Sequence, residues 1–170
     1  LNGTINSGGQ VTITKNTSLA GDTTLALTGA TASTISGALS GASSLTLGGT
    51  GTLNLTGNSS LSYTGSLNVT GGNLAVNADY SKSNVSVSSG ILSGIGATKV
   101  LNSTGGTVAP GNSPGIMTTT DSVFSSGSTF SVELASTSAG GFDQLKTGSV
   151  VLNAAALYIS AAQTLQAGQV

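Results

Sequence analysis

Apolar residues recur along this chain in pairs, with a single residue between the two members of each pair. Because a strand points alternate side chains to opposite faces, each pair indicates a short strand with one buried face. Helical spacing is not sustained anywhere. The nearest approach is "LNAAALYISAAQTL", and even there Leu157 and Ile159 alternate. The pattern therefore predicts an all-β chain. The pairs are Val11/Ile13, Leu25/Leu27, Leu45/Leu47, Leu53/Leu55, Leu61/Tyr63, Leu67/Val69, Leu74/Val76 and Val85/Val87.

The spacing between the pairs indicates how the strands are arranged. Neighbouring pairs are too close together for a sandwich of long strands, and three of them make a unit of roughly 18 to 22 residues. The unit measures 20 residues from Leu25 to Leu45 and 18 residues from Leu67 to Val85. Such a period is typical of a parallel β-solenoid, in which each coil contributes about three short strands to three parallel sheets.

A solenoid coil is stable only when it stacks on its neighbours. Fixing the backbone of one coil costs more free energy than its few inward apolar side chains and its hydrogen bonds return. A stack can fold because each coil pairs on both sides. The abundant Thr, Ser and Asn residues fit this scheme, since side chains in register hydrogen-bond from one coil to the next.

Both prolines of the chain lie in the stretch "APGNSPGI". Pro110 presets φ for a turn in which Gly111 adopts the positive φ of type II, and Pro114 with Gly115 repeats the arrangement. Neither proline can donate to a strand ladder, so the stretch is predicted to be a corner. The predicted division is repetitive β-solenoid coils over residues 1–108, a Pro/Gly corner over 109–116, and a C-terminal β segment with longer strands over 117–170 that continues the solenoid.

The composition excludes several classes of function. Charged residues make up 5% of the chain and the net charge is −1. Nucleic-acid binding needs clustered cations, and a membrane-surface role needs a basic face. No apolar run approaches the ~18 residues of a spanning helix. Because 37% of the residues are hydrophobic and the net charge is small, the chain is not expected to be disordered either. The four cations are scattered singly, at Lys15, Lys82, Lys99 and Lys146.

The chain contains no cysteine, which excludes disulfides and thiolate metal sites. This absence favours a bacterial surface protein over a eukaryotic secreted module. The sequence begins "LNGTINSGGQ", without a basic or apolar leader, and ends "LQAGQV" in what reads as the middle of a strand. We expect it to be a fragment of a longer chain from which any signal peptide has been removed.

The sequence offers few candidate residues for catalysis. Histidine and arginine are absent, so a Ser–His–Asp triad is impossible, and no Lys follows a Ser by three positions. Asp79 and Lys82 are interpreted as a solvated turn pair. The late carboxylates could converge, but surface or turn roles are favoured for them. We therefore assign no catalytic, cofactor-binding or metal-binding residue and expect a protein that is not an enzyme. The late carboxylates are Asp121, Glu133 and Asp143.

Three further patterns are interpreted as structural. The stretch "GGTGTLNL" (residues 48–55) imitates a calcium-binding repeat, but Leu53 occupies its Asp position, so we predict a turn. The Asn-x-Ser/Thr triplets at Asn16, Asn68 and Asn84 are expected by chance in a chain this rich in Ser and Thr. The three tyrosines could form a carbohydrate-stacking platform, but burial at the ends of the core is favoured. They are Tyr63, Tyr80 and Tyr158.

The segment "ISGALSGASSLTLGGTGTLNLTGNSSLSYTGSLNVTGGNLAVNA" resembles the autotransporter-associated β-strand repeat of bacterial surface proteins. The matching elements are a Gly-Thr-Leu strand at 51–57, Tyr-Thr-Gly at 63–65 and a Gly-bounded strand at 72–76; the family usually carries an Asn-Thr-Tyr run where this chain has "SSLSYTG". "GGTVAPGNSPGI" is similar to a junction common in passenger domains, and "FDQLKTGSVVLNAAALYI" is similar to their C-terminal segment. The resemblance covers roughly residues 35 to 170.

The resemblance implies a right-handed parallel β-helix in an autotransporter passenger domain at the bacterial cell surface or outside the cell. A structural or adhesive rod segment is the expected function. Its expected partners are neighbouring coils of the same longer chain or further copies end to end, with a host-cell or matrix receptor or glycan as a further candidate; no cofactor is expected. The alternatives are a carbohydrate-binding or polysaccharide-degrading β-helix module and a β-sandwich subunit resembling a pilin.

Overall fold

The computed structural model describes residues 1–136, 138 and 140–161, and it contains no helix within these ranges. The expected strand at the very C-terminus lies outside the described residues. The chain folds into short strands joined by tight turns. In chain order the strands are β1 (Gly3–Ser7), β2 (Thr12–Ile13), β3 (Thr17–Ser18), β4 (Thr23–Leu27), β5 (Ser33–Ile35), β6 (Leu39–Ser40), β7 (Leu45–Gly49), β8 (Thr52–Leu55), β9 (Leu67–Val76), β10 (Asp79–Tyr80), β11 (Val85–Gly94), β12 (Ala97–Thr98), β13 (Val100–Ser103), β14 (Gly106–Pro110), β15 (Ile116–Thr118), β16 (Asp121–Phe124), β17 (Ser128–Leu134), β18 (Gln144–Lys146), β19 (Ser149–Leu152) and β20 (Ala156–Ala161).

The strands pair in parallel with strands one repeat further along the chain. One series, the A stack, runs β1-β4-β7-β9-β11-β13-β16-β19. A second, the B stack, runs β2-β5-β8-β9-β11-β14-β17-β20, and the long strands β9 and β11 belong to both. The C stack comprises the pair β3-β6 and the sheet β10-β12-β15-β18. A sandwich of antiparallel sheets is therefore wrong for this chain; an all-β arrangement of mostly parallel strands, consistent with a β-solenoid, is what the structure shows.

The length of the repeat varies more than the sequence pattern predicts. Partners are 16 residues apart at Val85 and Leu101 and 28 apart at Ser122 and Val150. The predicted step of 18 between Leu67 and Val85 is confirmed. The predicted step of 20 between Leu25 and Leu45 is wrong, because Leu45 pairs with Thr23 and the step is 22. Thr23 is 1% exposed, so a polar residue occupies an inward position that the apolar pattern does not reveal.

The predicted apolar pairs form the core. In the A stack, Leu25, Leu47, Val69 and Val87 lie one above another, and all four are buried. Leu61 is the exception: it lies in the turn before Tyr63 and is 88% exposed, so its predicted inward position is wrong. A hydrogen-bonded turn from Ser59 to Tyr63 replaces the expected strand there, which removes the alternation on which the prediction depends. Val11 and Ile13, near the N-terminal edge, are half-buried.

A column of glycines lets the chain bend from the A stack into the B stack. Gly72, Gly90 and Gly106 have φ of 64°, 76° and 68°, a region that residues with a Cβ rarely adopt. The column is also tightly stacked, since a Cβ on Gly106 would lie 2.6 Å from the carbonyl oxygen of Gly90. The bend allows β9 and β11 to serve two faces as continuous ten-residue strands.

Polar side chains form hydrogen bonds between adjacent repeats, as the composition predicts. Ser93 Oγ donates to Asn73 Oδ1 at 2.9 Å, and Asn68 Nδ2 donates to Thr46 Oγ1 at 3.3 Å. Other hydroxyls donate to the carbonyls of the preceding repeat; for example, Thr70 Oγ1 lies 3.0 Å from the Leu47 oxygen. Ser, Thr and Asn therefore stabilise the stack directly as well as forming its turns.

The two prolines flank a turn between the B and C stacks. Pro110 is the last residue of β14, and Gly111 has the positive φ predicted for it. The predicted repeat of this geometry at Pro114 and Gly115 is wrong, because Ser113 takes the positive φ instead, at 62°. The parallel stacks continue across this turn.

Strand length can be compared before and after the prolines. In the segment expected to carry longer strands, β17 has seven residues and β20 has six. The ten-residue strands β9 and β11 precede the prolines. Residues 162–170 of the predicted C-terminal segment lie outside the described residues.

Candidate binding surface

Two of the three tyrosines belong to the core rather than to a surface. Tyr63 and Tyr80 are fully buried, with their rings edge to face and the centroids 6.1 Å apart. Burial raises the pKa of both phenols. Tyr158 lies on β20 and is 60% exposed. Burial is thus confirmed for two tyrosines, and a platform of three aligned and exposed tyrosines is excluded.

The two buried hydroxyls differ in their hydrogen bonding. The Tyr63 hydroxyl lies 2.9 Å from the carbonyl oxygen of Ser43 and 3.1 Å from that of Ser66, and it donates there. The Tyr80 hydroxyl and the hydroxyl of Thr98 are buried and have no hydrogen-bond partner within the described part of the chain. An unpartnered buried polar group destabilises the fold, so the hydroxyl of Tyr80 lowers stability while its ring packs in the core.

We expect Tyr63→Phe and Tyr80→Phe to change stability in opposite directions. Tyr63→Phe removes a donor from the carbonyl of Ser43 and should lower the free energy of unfolding by about 1 kcal/mol. Tyr80→Phe removes an unsatisfied hydroxyl and should raise it by about 1 kcal/mol. Both variants keep the ring, so each is the packing control for the other. Urea denaturation of the two variants measures the difference, and equal losses of stability would contradict it.

Of the late carboxylates, Asp143 is held by hydrogen bonds from the backbone of two other segments. Asp143 Oδ1 accepts the backbone N–H of Gly115 at 3.0 Å, and its Oδ2 accepts that of Glu133 at 2.9 Å. Asp143 thereby holds the turn after the prolines against β17. Asp121 lies on the A stack, where its Oδ1 accepts the hydroxyl of Ser149 at 2.5 Å. Both oxygens of Asp143 are occupied by backbone donors, so its role in this geometry is to position the chain.

Asp79 and Lys82 are placed around a turn, as the sequence suggests. Asp79 Oδ1 accepts the backbone N–H of Ser81 at 2.8 Å, which closes the turn after β10. Lys82 is exposed at this turn. The carboxylate of Asp79, like that of Asp143, therefore accepts a hydrogen bond from the backbone.

The stretch that imitates a calcium-binding repeat carries core residues. Gly48 and Gly49 end β7, residues 50–51 form the turn, and Leu53 in β8 is fully buried. The position at which a calcium-binding repeat carries its carboxylate therefore points into the apolar interior. The turn predicted here is confirmed, although it is shorter than the whole stretch.

One row of outward side chains on the A stack forms an uncharged polar surface. Its members occupy the same register position in successive strands, so they are spaced about 4.8 Å apart. Asn68, from one of the Asn-x-Ser/Thr triplets that the sequence attributes to chance, belongs to this row and binds Thr46. Asn16, from another triplet, accepts the N–H of Ala38 at 3.0 Å. We call these residues the outer polar row: Thr4, Thr24, Thr46, Asn68, Ser86 and Asn102.

Asp22 is a charged residue that the sequence analysis does not single out. Its Oδ1 accepts the backbone N–H of Ser44 at 2.8 Å and the Ser44 hydroxyl at 2.9 Å. The bond from the Ser44 N–H, and then that from its hydroxyl, lowers the pKa of Asp22 below its usual range. No local motif reveals this contact, because the partner lies one repeat away in the sequence.

Within residues 1–136, 138 and 140–161, no group of three or more His, Cys, Asp or Glu side chains is arranged to hold a metal ion. The same residues include no helix with the length and apolar character to span a membrane. Comparison with known proteins found no match to a family model, a curated protein or a solved structure.

Proposed function

We propose that this chain is a segment of a right-handed parallel β-helix that serves as a structural and adhesive rod in an exported bacterial surface protein. The proposal joins two lines of support: the resemblance of residues 35 to 170 to autotransporter-associated β-strand repeats, and the parallel stacking of the strands. The observation that carries it is the A stack, in which eight strands follow one another in parallel without interruption. At ~4.8 Å per strand, such a rod would be about 40 Å long.

The use of the polar groups supports a mechanical role. Asp22, Asp79 and Asp143 accept hydrogen bonds from backbone groups, and the Asn and Ser side chains bind neighbouring repeats. Few charges remain on the surface, which limits nonspecific binding. A rod of this kind gains length by adding repeats, and it can carry other regions of a longer protein away from the cell envelope.

We expect two measurements to agree with this function. Small-angle X-ray scattering from the purified chain should fit a rod, and antibodies raised against the chain should label intact cells of the source bacterium. The matched control is labelling of a cytoplasmic protein, which should appear only after the cells are permeabilised. A globular scattering profile contradicts the rod, and labelling that requires permeabilisation contradicts the location.

A carbohydrate-binding or polysaccharide-degrading module is the alternative function. One observation favours it: the backbone N–H of Glu133 donates to Asp143 Oδ2 at 2.9 Å, so these two acidic residues lie on adjacent segments, and glycoside hydrolysis requires a pair of carboxylates. The full occupation of Asp143 by backbone donors and the burial of Tyr63 and Tyr80 count against it. Screening on acidic polysaccharides tests it; a cleaved substrate whose turnover is lost in Asp121→Ala, Glu133→Ala or Asp143→Ala would favour this alternative over the rod.

A further inference from the structure

One column of outward side chains on the C stack begins with an acid and ends with a base. Strands β10, β12, β15 and β18 follow one another in parallel, and their register places one residue of each strand in this column. The side chains that alternate with the column point inward. The column consists of Asp79 and Ala97, which are half-buried, followed by Thr118 and Lys146, which are exposed.

Two exposed isoleucines lie beside the middle of this column. Ile95 is two residues before Ala97, and Ile116 is two residues before Thr118, so they occupy the same outward position in adjacent repeats. Ile95 is 50% exposed and Ile116 is 44% exposed. The corresponding positions beside the acid and the base carry amides. We call these eight residues the C face: Asn77, Asp79, Ile95, Ala97, Ile116, Thr118, Gln144 and Lys146.

The C face lies along the side of the stack, not at one of its ends. Repeats added before β1 or after β20 would lengthen the stack without covering it. The face has an apolar centre with charged and amide groups at its two ends, which is the usual composition of a contact between proteins.

The C face is complementary to a reversed copy of itself. A two-fold axis that runs along the strands, between β12 and β15, opposes the first repeat of the face to the fourth repeat of the other copy. Asp79 of each copy then faces Lys146 of the other. The isoleucines meet at the centre, and the amides meet at the two ends. Two copies in the same direction would instead oppose like charges, which costs binding energy, so the charges select the antiparallel arrangement.

We propose that two copies of this chain pair side by side through the C face, antiparallel and related by a two-fold axis. The same patch of both copies forms the contact, so it closes as a dimer. Four strands at ~4.8 Å, each contributing about 10 Å of length, cover roughly 200 Å² per copy. This area is far below the ~800 Å² per partner of a stable complex, so the pairing is weak and reversible. It goes beyond the proposed function, and many displayed copies would strengthen it by multivalency.

Sedimentation velocity of the intact chain, up to about 1 mM, tests the association. The weight-average mass should rise with concentration towards that of a dimer and no further. Ile116→Asp places a carboxylate in the centre of the contact and should weaken association at least about tenfold. Ile91→Asp is the matched control, because Ile91 is 40% exposed on the B stack and its substitution should leave association unchanged. A wild-type chain that stays monomeric, or equal losses in the two variants, overturns the proposal.

Charge reversal tests the antiparallel arrangement. Asp79→Lys and Lys146→Asp each oppose like charges in a self-pair and should weaken association at least about tenfold. An equimolar mixture of the two variants pairs opposite charges at both ends and should restore it, as should the double variant. Raising the salt from about 0.05 M to about 1 M should weaken pairing of the wild type. A mixture that associates no better than its separate components overturns the proposal.

Two controls separate lost pairing from lost structure. Circular dichroism shows whether each variant keeps its β structure. Asp79→Asn removes the charge but keeps an oxygen that accepts the N–H of Ser81, so it should weaken pairing without disturbing the turn. A monomer that still scatters as a rod would overturn only the pairing, whereas a globular monomer would contradict the rod of the proposed function as well.

Discussion

Gly90→Ala should lower the free energy of unfolding by about 3 kcal/mol. Two effects add. Gly90 has φ of 76°, which costs a residue with a Cβ about 1–3 kcal/mol. The new Cβ would also lie 2.5 Å from the carbonyl oxygen of Gly72 in the preceding repeat, and the backbone there can move away only by disturbing the stack. Urea denaturation followed by circular dichroism measures the loss.

Gly48→Ala is the matched control for this prediction. Gly48 lies in β7 without a positive φ, and a Cβ there would meet its nearest atom, Thr70 Oγ1, at an ordinary 3.6 Å. The substitution should leave the free energy of unfolding within about 0.5 kcal/mol of wild type. Equal losses in the two variants would show that the glycine column does not set the bend between the A and B stacks.

The parts of the fold that could be predicted are those that depend on alternation. Leu53 and Leu55 are one residue apart, and both are fully buried, as the pattern requires. The step of 18 from Leu67 to Val85 is also readable, because apolar residues occupy the same inward positions in both repeats. Parallel stacking follows physically, since a short isolated coil cannot bury enough apolar surface to offset its conformational entropy.

The parts that could not be predicted depend on polar residues in apolar positions and on contacts between repeats. Thr23 is inward and buried, so the register of β4 on β7 differs by two residues from the one the leucines suggest. Leu61 is apolar and exposed, because the turn at Ser59 interrupts the strand. Nothing in the local sequence marks Gly90 as more constrained than Gly48; the difference arises from the repeat stacked beneath it.

The same limit applies to the candidate surface. The sequence indicates that Tyr63 and Tyr80 are more suited to the core than to a platform, but the edge-to-face contact and the unpartnered hydroxyl of Tyr80 require the structure. The sequence makes Asp143 a candidate member of an acidic group, whereas its two oxygens accept the backbone N–H groups of Gly115 and Glu133. The sequence shows which side chains are polar. The register of the repeats determines which hydrogen-bond partner each of them has.

Leu53→Ala should lower the free energy of unfolding by about 3 kcal/mol, within the range of 2–5 kcal/mol that such truncations cost in well-packed cores. Leu53 is fully buried between Ser33 and Leu74 of the adjacent repeats, and these cannot collapse into the space because the backbone ladders on both sides hold the strands apart. Leu61→Ala removes the same atoms from an 88% exposed position and should change stability by less than about 0.5 kcal/mol. Thermal and urea denaturation of the two variants provide the comparison. Similar small effects in both would mean that the column through Leu53 is not the core, and the stacked architecture would then lose its principal source of stability.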